Sequence, residues 1–270
     1  MHPIVFGNSA HPLFGVLHPA LGRASDVGVV LLQPGVHEYE RSHWAFRSLA
    51  SALAARGRHV LRFDHRGTGD SAGEPDEATV EACVEDARIA SQELSEVPPV
   101  RRVSLVGMRL GAAVAAMASA RGLAVDDLVL WEPVVRGEKY LADLETLDAA
   151  VRLRLLHARR RPTSELAGFV FPPAIRRSIS RVDLATIGRV EARRVLVFAA
   201  EVDGEIARLT EALTRAGVAV QVNATGGEAA IARASARQAA VVAGSTVSQI
   251  ATHIESALVP APANAVPILS

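Results

Sequence analysis

The chain has 270 residues, of which 49% are apolar and 21% are charged, a composition typical of one large globular domain that can carry an insertion. Its 29 basic and 29 acidic side chains balance, which argues against a nucleic-acid partner or a polybasic membrane surface. The single cysteine excludes an intrachain disulfide, and no apolar run approaches the roughly 20 residues that a membrane span needs.

The first half of the sequence alternates between strand-like and helix-like patterns. Two short strand-like segments, IVFG and PLFGVLH, precede the apolar run VGVVLLQ at 27–33, which is typical of a strand buried on both faces. A helix is predicted over 41–57, where Gly57 is a suitable C-terminal cap. The alternation continues with the strand HVLRF, the helix EATVEACVEDARIASQEL, the strand RRVSLVG, a helix from Arg109 to about Arg121, and the strand DLVLW.

After Pro133 the alternation stops and then resumes. Residues 136–161 predict one or two helices without a strand, GFVFPP predicts an extended piece, and AIRRSISRVDLATI predicts a helix. We interpret 136–186 as an insertion packed over one end of a sheet. The alternation resumes with RVLVFAA, GEIARLTEALTRAG, VAVQVNA and a last helix near Val247–Leu258. Regular strand–helix alternation predicts an open, doubly wound parallel sheet built from 1–135 and 187–258, followed by a flexible tail at 259–270.

Three motifs in this order resemble the α/β-hydrolase superfamily. FDHRGTGDSAG (63–73) resembles the loop after the fourth strand of that fold, LLQPGVHE (31–38) resembles its oxyanion loop, and VGMRLG (106–111) resembles its nucleophile elbow. The resemblance implies an α/β-hydrolase fold: a mostly parallel central sheet flanked by helices. It also implies that the insertion at 136–186 is a small, mainly helical cap.

A narrower resemblance concerns three further segments. GMRLGA, LVLWEPVVRGEKYL and AGFVFPPAI are similar to a group of hydrolase-like proteins found beside bacterial exosortase systems, which also carry arginine at the elbow. This resemblance implies a bacterial protein whose activity is poorly defined. The opening MHPIVFGNSA lacks the pattern of a signal peptide, so we expect a cytoplasmic protein.

The superfamily's catalytic triad transfers poorly to this sequence. The elbow residue, a serine nucleophile in most members, is Arg109. The acid position after RVLVFAA corresponds to Asp203, but the loop that would carry the histidine contains Glu228 instead, and His253 comes too late. Because the relay needs a hydroxyl to attack and an imidazole to move its proton, conventional serine-hydrolase chemistry is not expected here.

An arginine at the elbow requires a nearby anion, because the following helix already carries a partial positive charge at its N-terminus. Acidic residues that could converge there follow the predicted strands: Glu38, Glu132, Asp203 and Glu228. In one alternative, Arg109 forms a permanent salt bridge to Asp203 or Glu228 that closes a dead site.

In the other alternative, Arg109 binds a ligand. Together with backbone N–H groups of Leu110 and of the turn at Gly35 and Val36, its guanidinium would bind a carboxylate, a phosphate or a carbonyl oxygen. The two alternatives are not exclusive, because a ligand can displace a bridged carboxylate. Glu132 is a further candidate ligand contact.

Any remaining chemistry would be acid–base or electrostatic. His37 is the first candidate base, with a solvent-facing loop residue as the alternative interpretation. Glu38 is the second candidate, with pairing to Arg109 or Arg41 as its alternative.

Other reactive residue types receive structural interpretations. Asp64, His65, Arg66 and Asp70 are expected to fix neighbouring turns, and Cys83 is expected to be buried and inert. No histidine pair has zinc-like spacing on one helix, so a metal site is not expected. No other cofactor is expected either.

Three functions therefore remain open. The leading hypothesis is a divergent α/β-hydrolase-fold protein that binds or transforms a small acyl- or carboxylate-bearing molecule without a covalent intermediate. The second is a pseudoenzyme that acts as a scaffold or partner subunit, so that a homodimer or a protein partner stays open. The third is a hydrolase that activates water directly, with His37, Asp203 or Glu228 as the base.

Overall fold

An eight-stranded sheet organises the chain in the computed structural model, which describes residues 1–154, 165–166, 168–225 and 236–256. The sheet is antiparallel at one edge and parallel elsewhere. Its strands are β1 (His2–Gly7), β2 (Pro12–His18), β3 (Val27–Leu32), β4 (Val60–Phe63), β5 (Arg102–Met108), β6 (Val125–Trp131), β9 (Ala192–Ala199) and β10 (Val220–Ala224); a separate hairpin joins β7 (Glu165–Leu166) and β8 (Phe169–Val170).

The strand order in the sheet is β1-β2-β4-β3-β5-β6-β9-β10. β2 pairs antiparallel with both β1 and β4, and every pair from β4 to β10 is parallel. This architecture is the α/β-hydrolase fold. Because the carboxyl ends of parallel strands meet at one edge, the segments that follow β3, β5, β6 and β9 lie close together there.

Seven helices surround the sheet in the described ranges. They are α1 (Val36–Ala55), α2 (Val80–Ser95), α3 (Leu110–Ala120), α4 (Gly137–Arg154), α5 (Pro173–Ser180), α6 (Gly204–Arg215) and α7 (Ala236–Ser256), with a 3-10 turn at Pro75–Glu77. None of these helices combines the length and the apolar character that crossing a bilayer requires.

Each face of the sheet has its own apolar core. On one face, side chains of α1 and α7 pack against alternate strand residues, and Phe46 stacks on the fully buried Trp131 with ring centroids 6.4 Å apart. On the other face, α2, α3, α6 and parts of 134–184 pack together. The apolar runs Val27–Leu32 in β3 and Leu128–Trp131 in β6 are therefore explained, because both faces of these strands are covered.

The predicted insertion at 136–186 contains α4, the β7–β8 hairpin and α5. The start of α4 and the end of α5 approach each other closely at the backbone. A Cβ on Gly137 would lie only 1.6 Å from the carbonyl oxygen of Ile179. The segment also meets the core at α2, where the Val80 N–H donates to Ser178 Oγ at 3.2 Å.

Three predicted helix boundaries are wrong. α1 begins at Val36 rather than residue 41, so His37 and Glu38 lie in its first turn. α5 ends at Ser180, whereas the pattern predicted a helix over 174–187. α7 begins at Ala236, well before the predicted start near Val247, while the predicted flexible tail at 259–270 lies outside the described residues.

At the amino edge of the sheet, arginines hold the end of α7. Arg58 is 2% exposed, and its guanidinium donates to Ser25 Oγ, to the Val27 carbonyl and to the Ile254 carbonyl. Arg194 donates to the carbonyl of His253. These bonds supply acceptor carbonyls at the C-terminal turn of α7 with donors that the helix itself lacks.

Candidate functional site

A strained turn places Arg109 between β5 and α3. Its backbone has φ 55° and ψ −118°, a conformation that is rare for a residue with a side chain, and its N–H donates to the Trp131 carbonyl at 2.9 Å. A Cβ on Gly107 would lie 2.2 Å from the Gly111 carbonyl oxygen, and one on Gly111 would lie 2.3 Å from that of Gln33. The two glycines thus allow the predicted elbow to form.

The guanidinium of Arg109 is partly engaged. Nε donates to Glu38 Oε1 at 2.9 Å, and Nη1 donates to the backbone carbonyl of Glu132 at 3.3 Å. The group lies 5.7 Å from the centre of the Tyr140 ring, close enough for a cation–π contact. Burial disfavours the charged form, but the Glu38 carboxylate outweighs burial and raises the pKa of Arg109. No described residue accepts a hydrogen bond from Nη2.

Tyr140 on α4 completes the environment of this ion pair. Its hydroxyl donates to Glu38 Oε2 at 3.2 Å and lies 3.5 Å from His37 Nε2. Burial, and then the negative charge of Glu38, raise the pKa of Tyr140 well above 10, so the phenol stays protonated. Tyr140 carries no sequence signal of a site residue, because nothing in its local pattern brings α4 to the elbow.

His37 is buried. Its side chain is 9% exposed and contacts the rings of Tyr140, Phe169 and Phe171, with centroids 5.8, 6.4 and 5.9 Å away. Burial lowers the pKa of His37, although the nearby Glu38 opposes the shift, and Nδ1 is buried without a hydrogen-bond partner. The alternative interpretation of a solvent-facing loop residue is therefore wrong, and the imidazole is neutral at pH 7.

Two helix N-termini meet beside Arg109. Gly35 caps α1, which begins at Val36, and Leu110 is the first residue of α3. The first N–H groups of a helix have no intrahelical acceptor and carry partial positive charge. A Cβ on Gly35 would lie 3.0 Å from the Tyr140 hydroxyl oxygen, so a side chain there would crowd Tyr140.

The acidic candidates take different positions. Glu132 has φ 47°, and its Oε1 accepts from the Ala200 N–H at 2.6 Å. Asp203 caps α6 by accepting from the N–H groups of Glu205 and Ile206 at 3.0 and 2.9 Å. The predicted salt bridge between Arg109 and Asp203 is therefore wrong: the carboxylate partner of Arg109 is Glu38, the alternative given for that residue. Glu228 lies outside the described residues.

A cavity of about 210 Å³ opens beside the elbow. Two positively charged side chains in the cavity wall form ion pairs with acidic residues of the same wall: Arg136 with Glu205 at 2.8 Å and Lys139 with Asp143 at 2.9 Å. The volume is below the range of roughly 300–1,000 Å³ found for sites of drug-sized ligands, so a smaller molecule fits it. The lining also includes Arg109, Glu132, Pro133, Val134, Val135, Tyr140, Ala200, Glu201, Asp203 and Ile206.

In the loop after β4, the Asp64 and Arg66 side chains hold neighbouring segments together, as expected. Asp64 Oδ1 accepts from the Tyr39 hydroxyl at 2.9 Å, and Asp64 Oδ2 accepts from the Asp70 N–H at 3.1 Å. Arg66 binds the fully buried carboxylate of Asp86 at 2.6 Å. His65 lies against the same carboxylate, a contact that the spacing of the sequence did not reveal.

Comparison with known proteins supports the fold. The model of one family, serine aminopeptidase S33, matches residues 24–253. A search of curated proteins finds no significant match to the sequence.

Solved structures resemble the chain over nearly its whole length. DcsB in complex with its substrate analogue has 15% identity and a TM-score of 0.65, with 95% of this chain and 98% of that chain covered. An esterase from Pyrococcus furiosus has 16% identity and a TM-score of 0.63, with 94% and 90% covered. Proline iminopeptidase from Mycobacterium smegmatis has 14% identity and a TM-score of 0.61, with 94% and 100% covered. At these identities the likeness concerns the fold alone, and the narrower exosortase-associated resemblance stays a prediction.

Proposed function

The chain belongs to the serine aminopeptidase S33 family of α/β-hydrolase-fold proteins, and we propose that it binds or transforms a small carboxylate- or acyl-bearing molecule without a covalent intermediate. In this proposal, 136–186 is a cap that contributes Tyr140, Phe169 and Phe171, while 1–135 and 187–258 form the core. Arg109 takes the place of the nucleophile and supplies a fixed positive charge.

The observation that carries the proposal is the hydrogen bond between Arg109 and Glu38. It supports the proposal because the guanidinium at the elbow already donates to a carboxylate oxygen, at 2.9 Å from Nε. Nη2 remains available among the described residues, α3 begins at the residue after Arg109, and Glu38 lies in the first turn of α1. A planar fork of donors suits the two oxygens of a carboxylate, and helix N-termini add favourable dipoles.

The neighbouring groups can also move protons. His37 is neutral at pH 7 because burial lowers its pKa, but it does not line the cavity, so it would act on a bound molecule through the Tyr140 hydroxyl, which lies 3.5 Å from its Nε2. Tyr140 stays protonated and can donate a hydrogen bond to a developing negative charge. Chemistry in this site would therefore be acid–base and electrostatic: His37 accepts a proton while Arg109 and Tyr140 stabilise an enolate, a carboxylate or an oxyanion.

A calorimetric titration tests the proposal. Short straight-chain carboxylates and their matched primary amides would be titrated into the full chain and into Arg109→Gln. We expect carboxylates, but not amides, to bind the unchanged chain. Because a charge-assisted hydrogen bond contributes about 1.5–3 kcal/mol, Arg109→Gln should weaken carboxylate binding roughly 10- to 100-fold.

Arg136→Gln is the matched control, because Arg136 lines the same cavity but already pairs with Glu205. Its carboxylate affinity should stay within roughly threefold of the unchanged chain, since no interaction assigned to the ligand is removed. Equal binding of amides and carboxylates, or an unchanged affinity in Arg109→Gln, would overturn the proposed role of Arg109.

A further inference from the structure

Three side chains of the types that bind transition metals lie together outside the site of Arg109. His65 follows β4, while Cys83 and Asp86 stand three residues apart on α2 and therefore share one face of that helix. One ligand atom from each residue lies within 4.8 Å of the others. None of the three lines the cavity that contains Arg109.

His65 provides an independent observation at this cluster. The residue is 8% exposed, and among the described residues neither of its ring nitrogens has a hydrogen bond of standard geometry. Its Nδ1 forms a long ion pair with Asp86. Although burial lowers the pKa of His65, the Cys83 and Asp86 groups outweigh burial and raise it to about 10, so a bound metal has to displace a proton from the ring. The ring faces the other two groups: Nδ1 lies 3.4 Å from Asp86 Oδ2.

The spacing of these atoms suits a tetrahedral ion. Bonds of about 2.0–2.1 Å to nitrogen and oxygen place two ligand atoms about 3.3–3.4 Å apart around such an ion. Arg66 holds both oxygens of this carboxylate, because its Nε and Nη2 donate to Asp86 Oδ1 at 2.8 and 2.6 Å and its backbone N–H donates to Oδ2 at 3.0 Å. Ligating carboxylates are commonly oriented by hydrogen bonds of this kind.

We propose that His65, Cys83 and Asp86 bind a zinc-class divalent transition metal. Imidazole nitrogen, thiolate sulfur and carboxylate oxygen are the zinc ligands found in proteins, and three protein ligands leave a fourth position for water. The thiolate and the carboxylate balance the charge of the ion. The Arg66 guanidinium shares Asp86, so binding is weaker than at a structural site with four cysteines.

Cobalt spectroscopy tests the site without any substitution. Since Cys83 is the only cysteine, a sulfur-to-cobalt charge-transfer band in the near ultraviolet reports on that residue alone. Titration of the chelator-treated full chain with Co²⁺ should produce this band, saturating at one equivalent, together with the intense visible bands of a tetrahedral ion. Absence of the band throughout the titration would overturn the proposal.

Variants and a protection assay complete the test. His65→Gln should weaken Co²⁺ binding at least roughly tenfold, whereas His11→Gln, which removes another histidine near a carboxylate, should leave it unchanged. In the unchanged chain, bound Zn²⁺ should slow the reaction of Cys83 with a thiol reagent at least roughly tenfold. Because the thiol-protection assay uses the unchanged chain, it tests the site even if His65→Gln does not fold. A band that survives His65→Gln, or a thiol reactivity that Zn²⁺ does not change, contradicts the site.

Discussion

At the scale of single residues, one carboxylate determines the state of the site. Glu38 accepts from Arg109 with one oxygen and from Tyr140 with the other, so it ties α1, the elbow and α4 together. It also competes with any external carboxylate for the guanidinium. The same residue therefore stabilises the free protein and limits the affinity of the site for an anion.

Glu38→Gln should separate these two effects. Removing the charge frees Arg109 for an external carboxylate, so binding should tighten by roughly tenfold. The pair is partly exposed, at 34% and 23% of the two side chains, so the free energy of unfolding should fall by only about 1–2 kcal/mol. Calorimetry and chemical denaturation measure the two quantities.

Glu201→Gln is the control for that experiment, since Glu201 lines the same cavity without pairing with Arg109. It should leave both quantities nearly unchanged. Weaker carboxylate binding in Glu38→Gln would show that Glu38 is needed to orient Arg109 rather than competing for it.

A second residue predicts a pH dependence of stability. His18 is buried, and its Nε2 accepts a hydrogen bond from Arg62 Nε at 3.1 Å. Burial, followed by the positive charge of Arg62, lowers the pKa of His18 from 6.5 to about 4. As the pH falls from 6.5, the unfolded chain therefore takes up a proton before the folded chain does. His18 should reduce the free energy of unfolding across this window, by up to about 3 kcal/mol near pH 4.

Denaturant unfolding between pH 7 and pH 4 measures this effect. His18→Gln keeps an acceptor for Arg62 but does not titrate, so its stability should fall less steeply over the same window. Carboxylates contribute equally to both curves, so the difference between them isolates His18. Parallel curves would refute the assignment.

Part of this site could be predicted from the sequence, and part could not. VGMRLG identified the elbow and its need for an anion, because the pattern of glycines encodes the turn. The choice of Glu38 over Asp203 could not be predicted, since all the acidic candidates follow strands that end at the same edge. Only the distances, and the use of Asp203 as the cap of α6, decide between them.

At the scale of elements, close backbone approaches hold the elbow. β3, β5 and α3 meet where Gly107 and Gly111 leave no room for a side chain. The strained backbone conformation of Arg109 persists because the close contacts of Gly107 before it and Gly111 after it hold the turn in place. The turn is therefore more sensitive to a methyl group at the glycines than to the chemistry of its central residue.

Gly111→Ala should destabilise the fold by about 3 kcal/mol or more. The new Cβ would lie 2.3 Å from each of two backbone carbonyl oxygens, those of Leu32 in β3 and of Gln33 after it. Gly244→Ala is the matched control: it also lies in a helix, but a Cβ there meets no described atom outside that helix's own backbone within 4 Å. This control should be neutral or stabilising by about 0.5–1 kcal/mol. Equal stabilities of the two variants in thermal unfolding would contradict this account of the elbow.

The start of α1 shows why sequence patterns mislead at element boundaries. Gly35 caps this helix without a side-chain hydrogen bond, so the usual signal of serine, threonine, aspartate or asparagine is absent. The sequence therefore placed His37 and Glu38 in a loop. In contrast, Thr79 does cap α2 through its side chain, and that helix was predicted within a few residues.

At the scale of the whole molecule, the two edges of the sheet have different roles. The carboxyl edge carries the elbow and the cavity, while the amino edge carries buried ion pairs that join strands and helices. Asp127 is 1% exposed and pairs with Arg193 and Arg194, which lie on the neighbouring strand β9. The mostly parallel sheet was predictable from the alternation of elements, but these pairs were not, because they depend on strand register.

Arg58→Met should loosen the C-terminal end of α7. The substitution removes donors from the Ser25, Val27 and Ile254 oxygens in a buried position, so the free energy of unfolding should fall by about 2–4 kcal/mol. Amide hydrogen exchange at the end of α7 should also accelerate. Arg215→Met, at an arginine that is 70% exposed, should change neither quantity. Unchanged exchange in Arg58→Met would exclude Arg58 as the clamp of α7.

A crystal structure of the protein with the tightest-binding short carboxylate, at a concentration above its Kd, tests the central claim most directly. We expect the ligand oxygens within about 3 Å of the Arg109 guanidinium, beside the N-termini of α1 and α3, with no covalent bond to the protein. A carboxylate bound away from an Arg109 that still pairs only with Glu38, or an acyl group attached to a serine, would contradict it.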